Sequence, residues 1–206
     1  MTISVSDALA LLEWKRAIFD LYAHIRAEPD PAGAWATWVR ARDELFRTHP
    51  QSPVQSQDRA SFRASYFPYD PSARVFGELQ DEELAEFEIP TSGPEPMRFS
   101  RIGTCAFELN GTSITLELYW LAAYAGGLFI PFADKTSGGP TYGAGRYLLD
   151  TVKGSDLGTQ DGKLVLDFNF AYNPSCAYDP RWVCPLAPPA NRLEVAIEAG
   201  ERTPAS

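Results

Sequence analysis

The sequence predicts an α+β protein in which an N-terminal helical pair packs on a mainly antiparallel β-barrel or β-sandwich. Apolar side chains recur at helical spacing over the first quarter of the chain, and the period changes to two from residue 74 onward. No helical stretch separates the later strands, and strands joined by short turns pair as antiparallel neighbours. Sheets of roughly six or more such strands usually close into a barrel or fold into a sandwich, which limits exposed edges.

The chain is predicted to form one domain over residues 1–206. Its length of 206 residues and its hydrophobic content of 45% are sufficient to fill one core. We expect a helical pair over 1–50, an irregular connection over 51–73 and an antiparallel β region over 74–200.

Two helices are predicted at the start of the chain. The apolar stripe of the first helix consists of Ala8, Leu12, Phe19, Tyr22 and Ile25. Ser6 is the expected N-cap of this helix, and Asp30 is the expected N-cap of a second helix that begins with Pro31 and stops at His49. The stripe of the second helix consists of Trp35, Trp38, Arg42, Leu45 and Phe46. We expect the two stripes to cover one face of the sheet.

The strands predicted after residue 74 are short and separated by turn signals. Asn110-Gly111 is a strong hairpin signal, because both residues readily adopt the positive φ angles of a two-residue turn. The turn joins a strand that alternates through Cys105 and Phe107 to a returning strand. Further strands are expected over 128–133, 146–152, 164–171 and 192–199.

The acidic composition argues against the partners that basic proteins bind. The chain has 18 Lys and Arg residues against 27 Asp and Glu, a formal net charge of -9 and a pI of about 4.7. Phosphate contacts need clustered basic side chains, so we expect neither nucleic acid nor a membrane as partner. The charge-free stretch 118–133 has 16 residues, fewer than the roughly 20 of a membrane span. With three cysteines and no secretory signal, the sequence favours a cytoplasmic location.

The glycine-rich stretch 132–148 is the first polar region in which a function is expected. Arg146 presents a planar fork suited to a carboxylate or phosphate, and Thr136 and Tyr142 offer hydrogen bonds. Asp134 is the competing partner of Arg146, because an Arg–Asp pair across a hairpin is common. The loop lacks the Gly-Lys-Ser/Thr order of phosphate-binding loops and no helix pattern follows it, so a nucleotide site is not predicted.

The stretch 166–178 is the second polar region. Apolar side chains would occupy one face of a strand, namely Leu166, Phe168, Phe170 and Tyr172. Short polar or small side chains would occupy the other face, namely Asp167, Asn169, Ala171 and Asn173. Asp and Asn are poor strand formers, so their recurrence indicates a polar, partly enclosed surface such as the mouth of a barrel. An ordinary exposed face that ends in a turn explains the pattern equally well.

The three cysteines leave four interpretations open. Zinc binding would need two more ligands beside Cys176 and Cys184, and the remaining candidates are Cys105 and the distant His24 and His49. The spacing of Cys176 and Cys184 also permits a disulfide. Cys176 would act as a nucleophile if a neighbouring group lowered its pKa. The fourth interpretation is a pair of buried apolar side chains in a proline-rich loop. No metal site and no cofactor are predicted.

Two strings in these regions are long and unusual. They are Thr-Tyr-Gly-x-Gly-Arg-Tyr-Leu within 132–148 and Asn-Pro-x-Cys-Ala-Tyr within 166–201. Both resemble the signature of an uncharacterised family, found mainly in prokaryotes, that is catalogued as domain of unknown function 1684. Looser similarity extends through Trp38, residues 49–50 and residues 66–68. The resemblance implies family membership and a discrete, soluble, single-domain unit, and it carries no established activity, cofactor or catalytic role.

The sequence leads to two hypotheses about function. The first is a binding protein for a small polar or anionic molecule, with a pocket built from the 134–146 and 167–178 loops. Its predicted ligand-binding residues are Asp134, Thr136, Tyr142, Arg146, Asp167, Asn169, Asn173 and Tyr178. The alternative is a cysteine-dependent hydrolase in which Cys176 is the nucleophile and backbone amides of a glycine-rich turn stabilise the oxyanion. These patterns leave open whether the protein is an enzyme and which oligomeric state it adopts.

Overall fold

The computed structural model describes residues 4–121 and 126–204 and confirms the α+β class. Two helices come first along the chain, α1 (Val5–Ala27) and α2 (Pro31–Thr48). The strands that follow in the described residues are β1 (Arg74–Ile89), β2 (Met97–Leu109), β3 (Thr112–Trp120), β4 (Leu128–Phe132), β5 (Arg146–Asp150), β6 (Thr159–Gln160) and β7 (Lys163–Asp167).

Side-chain caps determine where the two helices begin. Ser4, and not the predicted Ser6, caps α1, because Asp7 stands at the capping-box distance from Ser4. The Ser4 hydroxyl accepts a hydrogen bond from the Asp7 amide at 3.0 Å, and the Asp7 carboxylate accepts one from the Ser4 amide. Asp30 caps α2 as predicted, since its carboxylate accepts hydrogen bonds from two amides of the first turn and Pro31 follows it.

The strands form one antiparallel sheet in the order β5-β4-β3-β2-β1-β7-β6. Over residues 4–121 and 126–204, no ladder joins β5 to β6, so the sheet is open. Of the two predicted architectures, the sandwich therefore fits the structure better than a closed barrel. Helices α1 and α2 pack against this sheet, and the helical pair precedes the strands as predicted.

The hairpin between β2 and β3 turns at Asn110-Gly111, as predicted. The two residues have φ angles of 50° and 76°, the left-handed conformations of a type I′ turn. Leu109 and Thr112 pair directly across it. This turn sets the register of the β2–β3 ladder as far as Gly103, where the register shifts before the pairing continues to Ser100.

Two predicted strands end earlier than expected. The strand predicted over 146–152 stops at Asp150, and the strand predicted over 164–171 stops at Asp167. In each case the terminal carboxylate accepts an amide hydrogen bond from the 3-10 turn that follows, which draws the backbone out of the extended conformation. The alternation over 166–173 therefore does not describe two faces of a continuous strand.

The strand predicted over 192–199 is wrong. This segment crosses the sheet edge, and in the described structure its backbone makes a single bridge, from Arg192 to Ala133. The Lys135 amide donates to the Val195 carbonyl at 2.9 Å, but no ladder develops. Individual apolar side chains of this segment, such as Ile197 and Ala199, are nevertheless buried in the core.

The sheet has an apolar cluster on each face. One consists of residues from the strands and the C-terminal segment, including Cys105, Leu116, Ile130, Phe132, Leu166 and Phe168. The other joins the helices to the sheet, through Ile18, Tyr22, Trp38, Ile89, Tyr119, Tyr147 and Phe170. No helix of the described residues is long and apolar enough to cross a membrane, and residues 122–125 of the charge-free stretch 118–133 lie outside them.

Candidate functional site

A cavity of about 290 Å³ lies between the two helices and the segment 172–182. We call it the helix–sheet pocket. Its described lining residues are Leu11, Trp14, Lys15, Ile18, Arg42, Phe46, Gln51, Pro53, Lys153, Ser155, Tyr172, Asn173, Ser175, Tyr178 and Trp182. More than half of them are apolar or aromatic, as is usual for small-molecule sites.

The lining of the pocket is basic although the whole chain is acidic. It includes Lys15, Arg42 and Lys153, and its described residues include no Asp or Glu. Lys15 is exposed on α1, whereas Arg42 pairs with Glu201 at 3.0 Å and Lys153 pairs with Asp150 at 3.4 Å. Carboxylates outside the lining thus balance Arg42 and Lys153, and Lys15 is the lining cation that favours a negatively charged ligand group over a positive one.

Arg42 lies in a box of aromatic rings. Its guanidinium carbon is 4.9 Å from the ring centroid of Trp38, 4.7 Å from that of Phe46 and 5.1 Å from that of Tyr172. Burial by itself would lower the pKa of Arg42, but the Glu201 carboxylate and the hydroxyls of Tyr66, Tyr178 and Tyr22 together outweigh it, and the pKa lies well above its ordinary value. Arg42 is therefore a permanent cation inside the protein.

The Glu201 carboxylate gathers the hydrogen bonds around Arg42. It is 1% exposed and accepts hydrogen bonds from the Arg42 guanidinium, the Tyr178 hydroxyl and, at 2.7 Å, the Asn173 amide. Two predicted binding residues, Asn173 and Tyr178, are thus held at the pocket wall by a carboxylate that the sequence patterns did not single out.

Two buried polar atoms at the pocket wall have no hydrogen-bond partner within the described structure. They are the Tyr172 hydroxyl and the side-chain oxygen of Asn173. The Asn173 side-chain nitrogen donates to the Arg202 carbonyl at 2.8 Å, which orients the amide and leaves its oxygen as an acceptor. An unsatisfied buried polar atom costs about 1–3 kcal/mol, which a suitable ligand group would partly recover.

Arg146, the predicted anion-binding residue, is 1% exposed and engaged within the protein. Its guanidinium donates to the Asp134 carboxylate at 2.7 Å, to the Ile197 carbonyl at 3.0 Å and to the Ala199 carbonyl. Burial lowers the pKa of Arg146, and Asp134 partly opposes this. The sequence predicts either a ligand anion or Asp134 as the partner of Arg146, and in the structure this partner is Asp134. The described lining of the helix–sheet pocket includes no residue of 134–146.

Local hydrogen bonds hold the loop that precedes Arg146. The Thr136 amide donates to the Asp134 carboxylate at 2.6 Å, and the Thr136 and Thr141 hydroxyls are 2.8 Å apart. Gly145 has a φ of 92°, and a Cβ there would lie 2.4 Å from the Phe132 carbonyl oxygen. Only glycine fits this approach, so the loop positions Arg146 over the end of β4.

Asp167 and Asn169 form a separate buried cluster. The Asp167 carboxylate accepts hydrogen bonds from the Asn169 amide at 3.0 Å and from its side-chain nitrogen at 2.8 Å. The Asn169 side chain also bonds both backbone groups of Asp70, at 2.9 and 2.7 Å, and the Asn169 backbone carbonyl accepts from the Trp35 indole. The cluster therefore ties α2 and the 51–73 connection to the end of β7.

The Asp167 carboxyl group predicts a pH effect on stability. Desolvation raises its pKa, although the Asn169 hydrogen bonds and Arg74, at 3.5 Å, oppose this. A raised folded-state pKa adds stability below the unfolded value of about 4, and this stability is lost as the pH rises through the folded value. In urea unfolding across this range, Asp167→Asn should become less stable relative to wild type as the pH falls. A difference that stays constant with pH would contradict this.

The third group of predicted residues surrounds Cys176. The Tyr142 hydroxyl donates to the Cys176 sulfur at 3.7 Å, and the Cys176 amide donates to the Cys184 sulfur at 3.4 Å. The cysteines are free thiols. The side chains that hydrogen-bond Cys176 are those of Cys184, Tyr142 and Ser92, and neither histidine is among them. No hydrogen-bonded histidine is therefore in place as the general base of a cysteine hydrolase.

The predicted site residues thus fall into separate clusters rather than one pocket. Only Asn173 and Tyr178 of the predicted ligand-binding set line the helix–sheet pocket. Sequence reasoning missed Lys15, Lys153 and Ser155, because nothing in their sequence context distinguishes them from ordinary polar surface residues. It also missed the role of Arg42, for which a charge within an apolar helical stripe was the available signal. Within the described ranges, no group of three or more His, Cys, Asp or Glu side chains converges as metal ligands would.

Fold and pocket define an α+β protein with an antiparallel sheet, whose helical pair encloses a small cavity against residues 153–155 and the segment 172–182. The sequence model of the family described as Protein of unknown function (DUF1684) matches residues 61–202. The match spans more than half of the chain, so the chain belongs to this family.

A solved structure is similar to this chain over most of its length. It is the solution NMR structure of an uncharacterised protein from Haloarcula marismortui, with 39% sequence identity and a TM-score of 0.60. The similarity covers 83% of this chain and 95% of that one. No curated protein matches the chain significantly.

Proposed function

We propose that the protein binds a small amphipathic anion in the helix–sheet pocket. The observation that carries this proposal is the cavity of about 290 Å³, whose lining is largely apolar and includes three cationic side chains but no carboxylate among the described residues. Apolar walls bind a hydrocarbon body through the removal of its surface from water. Cationic side chains then favour a carboxylate over a neutral or positively charged end group.

The acidic chain restricts this proposal to short-range recognition. A formal net charge of -9 repels anions at a distance, so the pocket lysines act only once the ligand is bound. Lys15 and Lys153 are far apart in the sequence, since one lies on α1 and the other lies after β5. Both contribute to the same lining. The Asn173 oxygen and the Tyr172 hydroxyl add hydrogen-bonding capacity for a polar ligand group.

A thermal-shift comparison of octanoate, octanol and octylammonium tests the proposal. Octanoate at about a hundred times its Kd should stabilise the protein by about 2.7 kcal/mol, which raises the Tm by about 5–10 °C in a chain of this size. Octanol should raise the Tm less than octanoate does, and octylammonium should raise it least, because the cationic side chains attract a carboxylate and repel an ammonium group. The three ligands share the same hydrocarbon chain, so the comparison isolates the end group.

Lysine variants connect the response to the pocket. Lys15→Met and Lys153→Met should each weaken octanoate binding about two- to fivefold, since each removes one cation from the lining. Lys135→Met is the matched control, because Lys135 is an exposed lysine that does not line the pocket. Equal responses to all three ligands, or equal losses in the three variants, would contradict an anion-selective pocket.

We also propose a reducing compartment such as the cytoplasm for this protein. The support is that its three cysteines are free thiols, which secreted domains of this size rarely retain.

A further inference from the structure

Cys176 and Cys184 lie close together, in and just after the segment 172–182 that lines the helix–sheet pocket. The Cys176 amide donates to the Cys184 sulfur at 3.4 Å, and the Tyr142 hydroxyl donates to the Cys176 sulfur at 3.7 Å. The Ser92 hydroxyl accepts from the Cys184 amide at 3.0 Å, and the Ser92 amide donates to the Cys184 carbonyl at 2.9 Å. The backbone of Cys184 is thereby fixed while its side chain faces Cys176.

The third cysteine provides a contrast within the same chain. Cys105 is 0% exposed in the apolar core, and burial raises the pKa of its thiol to about 11. The hydrogen bond from Cys184, supported by those from Tyr142 and Ser92, lowers the pKa of Cys176 to about 6, although burial opposes it. The same contact raises the pKa of Cys184. The Tyr142 hydroxyl, 3.7 Å from the Cys176 sulfur, is a donor that favours the thiolate form of Cys176.

A second cavity reaches Cys184, and Lys153 lines both this cavity and the helix–sheet pocket. It has a volume of about 230 Å³, and Cys184 lines it together with Val183 and Pro185. Cys176 itself is 9% exposed, against 0% for Cys105. A small oxidant can therefore reach Cys176 through its exposed fraction and Cys184 through the cavity, whereas Cys105 is enclosed by the core.

We propose that Cys176 and Cys184 form a peroxide-reactive thiol pair that closes to a disulfide. In the first step the Cys176 sulfur attacks one oxygen of a hydroperoxide: an S–O bond forms, the O–O bond breaks, and the leaving oxygen takes up a proton. In the second step the Cys184 sulfur attacks Cys176: an S–S bond forms, the S–O bond breaks, and water leaves with the proton of Cys184. With hydrogen peroxide, two thiols are oxidised and one peroxide is reduced to two waters.

The experiment treats the reduced 206-residue chain with hydrogen peroxide at about pH 6, well below the ordinary pKa of a thiol. The protein is then unfolded, alkylated and digested with trypsin. Arg181 lies between the two cysteines, so a disulfide appears as two linked peptides. We expect this linkage, with Cys105 recovered as an alkylated thiol. The folded protein should react roughly tenfold faster than the urea-unfolded chain, since its much larger thiolate fraction outweighs the lower nucleophilicity of a low-pKa thiol.

Single variants separate the two steps. Cys184→Ser should stop at a sulfenic acid on Cys176 that a dimedone reagent traps, and Cys176→Ser should yield neither product. Cys105→Ser is the matched control and should react as wild type does. Recovery of all three thiols, a linkage that involves Cys105, or a folded protein that reacts no faster than the unfolded chain would overturn the proposal. The peptide map of wild type decides this even if a variant fails to fold.

Discussion

Replacing Glu201 with alanine should destabilise the protein by about 3–5 kcal/mol. The substitution leaves the Arg42 guanidinium buried without its counter-charge, at a site where the pair is separated by 3.0 Å and both side chains are almost fully buried. It also removes the acceptor of the Asn173 amide. In a chain of this size the Tm should fall by roughly 10 °C, as measured by thermal unfolding.

Two further variants define what the Glu201 result means. Glu198→Ala is the control, because Glu198 is an exposed carboxylate in the same segment, and its Tm should stay within about 2 °C of wild type. Arg42→Met combined with Glu201→Gln removes both charges and keeps an acceptor for Asn173, so its loss should be smaller than the sum of the single variants. If Glu201→Ala behaves like Glu198→Ala, the buried pair does not stabilise the fold.

The substitution Arg146→Ala should also destabilise the protein by about 3–5 kcal/mol, and it should leave octanoate binding unchanged. Asp134 would remain buried without the cation that is now 2.7 Å away, and the carbonyls of Ile197 and Ala199 would lose their donor. Octanoate binding should persist because Arg146 does not line the helix–sheet pocket. Chemical unfolding and a titration on the same sample measure both quantities.

The control for Arg146 is an arginine at the surface. Arg98 is 80% exposed, and its ion pair with Glu88 spans 3.8 Å, so Arg98→Ala should change the stability by less than about 0.5 kcal/mol. A stable Arg146→Ala protein that no longer responds to octanoate would return the anion site to the 134–146 loop, as the sequence hypothesis has it.

The elements that sequence reasoning predicts correctly are those set by neighbouring residues. Asp30 and Pro31 specify the start of α2 through a carboxylate and a preset φ angle, and Asn110-Gly111 specifies a turn through its own backbone preferences. In both cases the interacting groups lie within a few positions of each other. Such interactions form in the same way whatever the rest of the chain does.

The alternation over 166–173 misleads because two different causes produce the same pattern. Asp167 and Asn169 alternate with apolar residues, which is typical of a strand, yet Asp167 caps a 3-10 turn and Asn169 bonds Asp70. The short polar side chains bind backbone groups, which lie in the next turn for Asp167 and in a distant segment for Asn169. Periodicity alone cannot distinguish a polar face from a series of caps.

The candidate pocket escapes sequence reasoning for a related reason. Its lining comes from α1, α2, residues 51–53, residues 153–155 and the segment 172–182, which meet only in the folded chain. A charge within an apolar stripe predicts that Arg42 has a buried partner, but the partner lies 159 residues away. The fold topology determines which carboxylate pairs with Arg42, and the composition and the residue spacing do not identify it.

That separation also has a consequence for biosynthesis. A ribosome adds about 5–20 residues per second, so Glu201 is made on the order of ten seconds after Arg42. Until then the guanidinium has no carboxylate to accompany it into the protein interior, and the aromatic rings of Trp38 and Phe46 around it stay uncovered. The nascent helical pair therefore keeps its apolar surface exposed until the segment that contains Glu201 has been made.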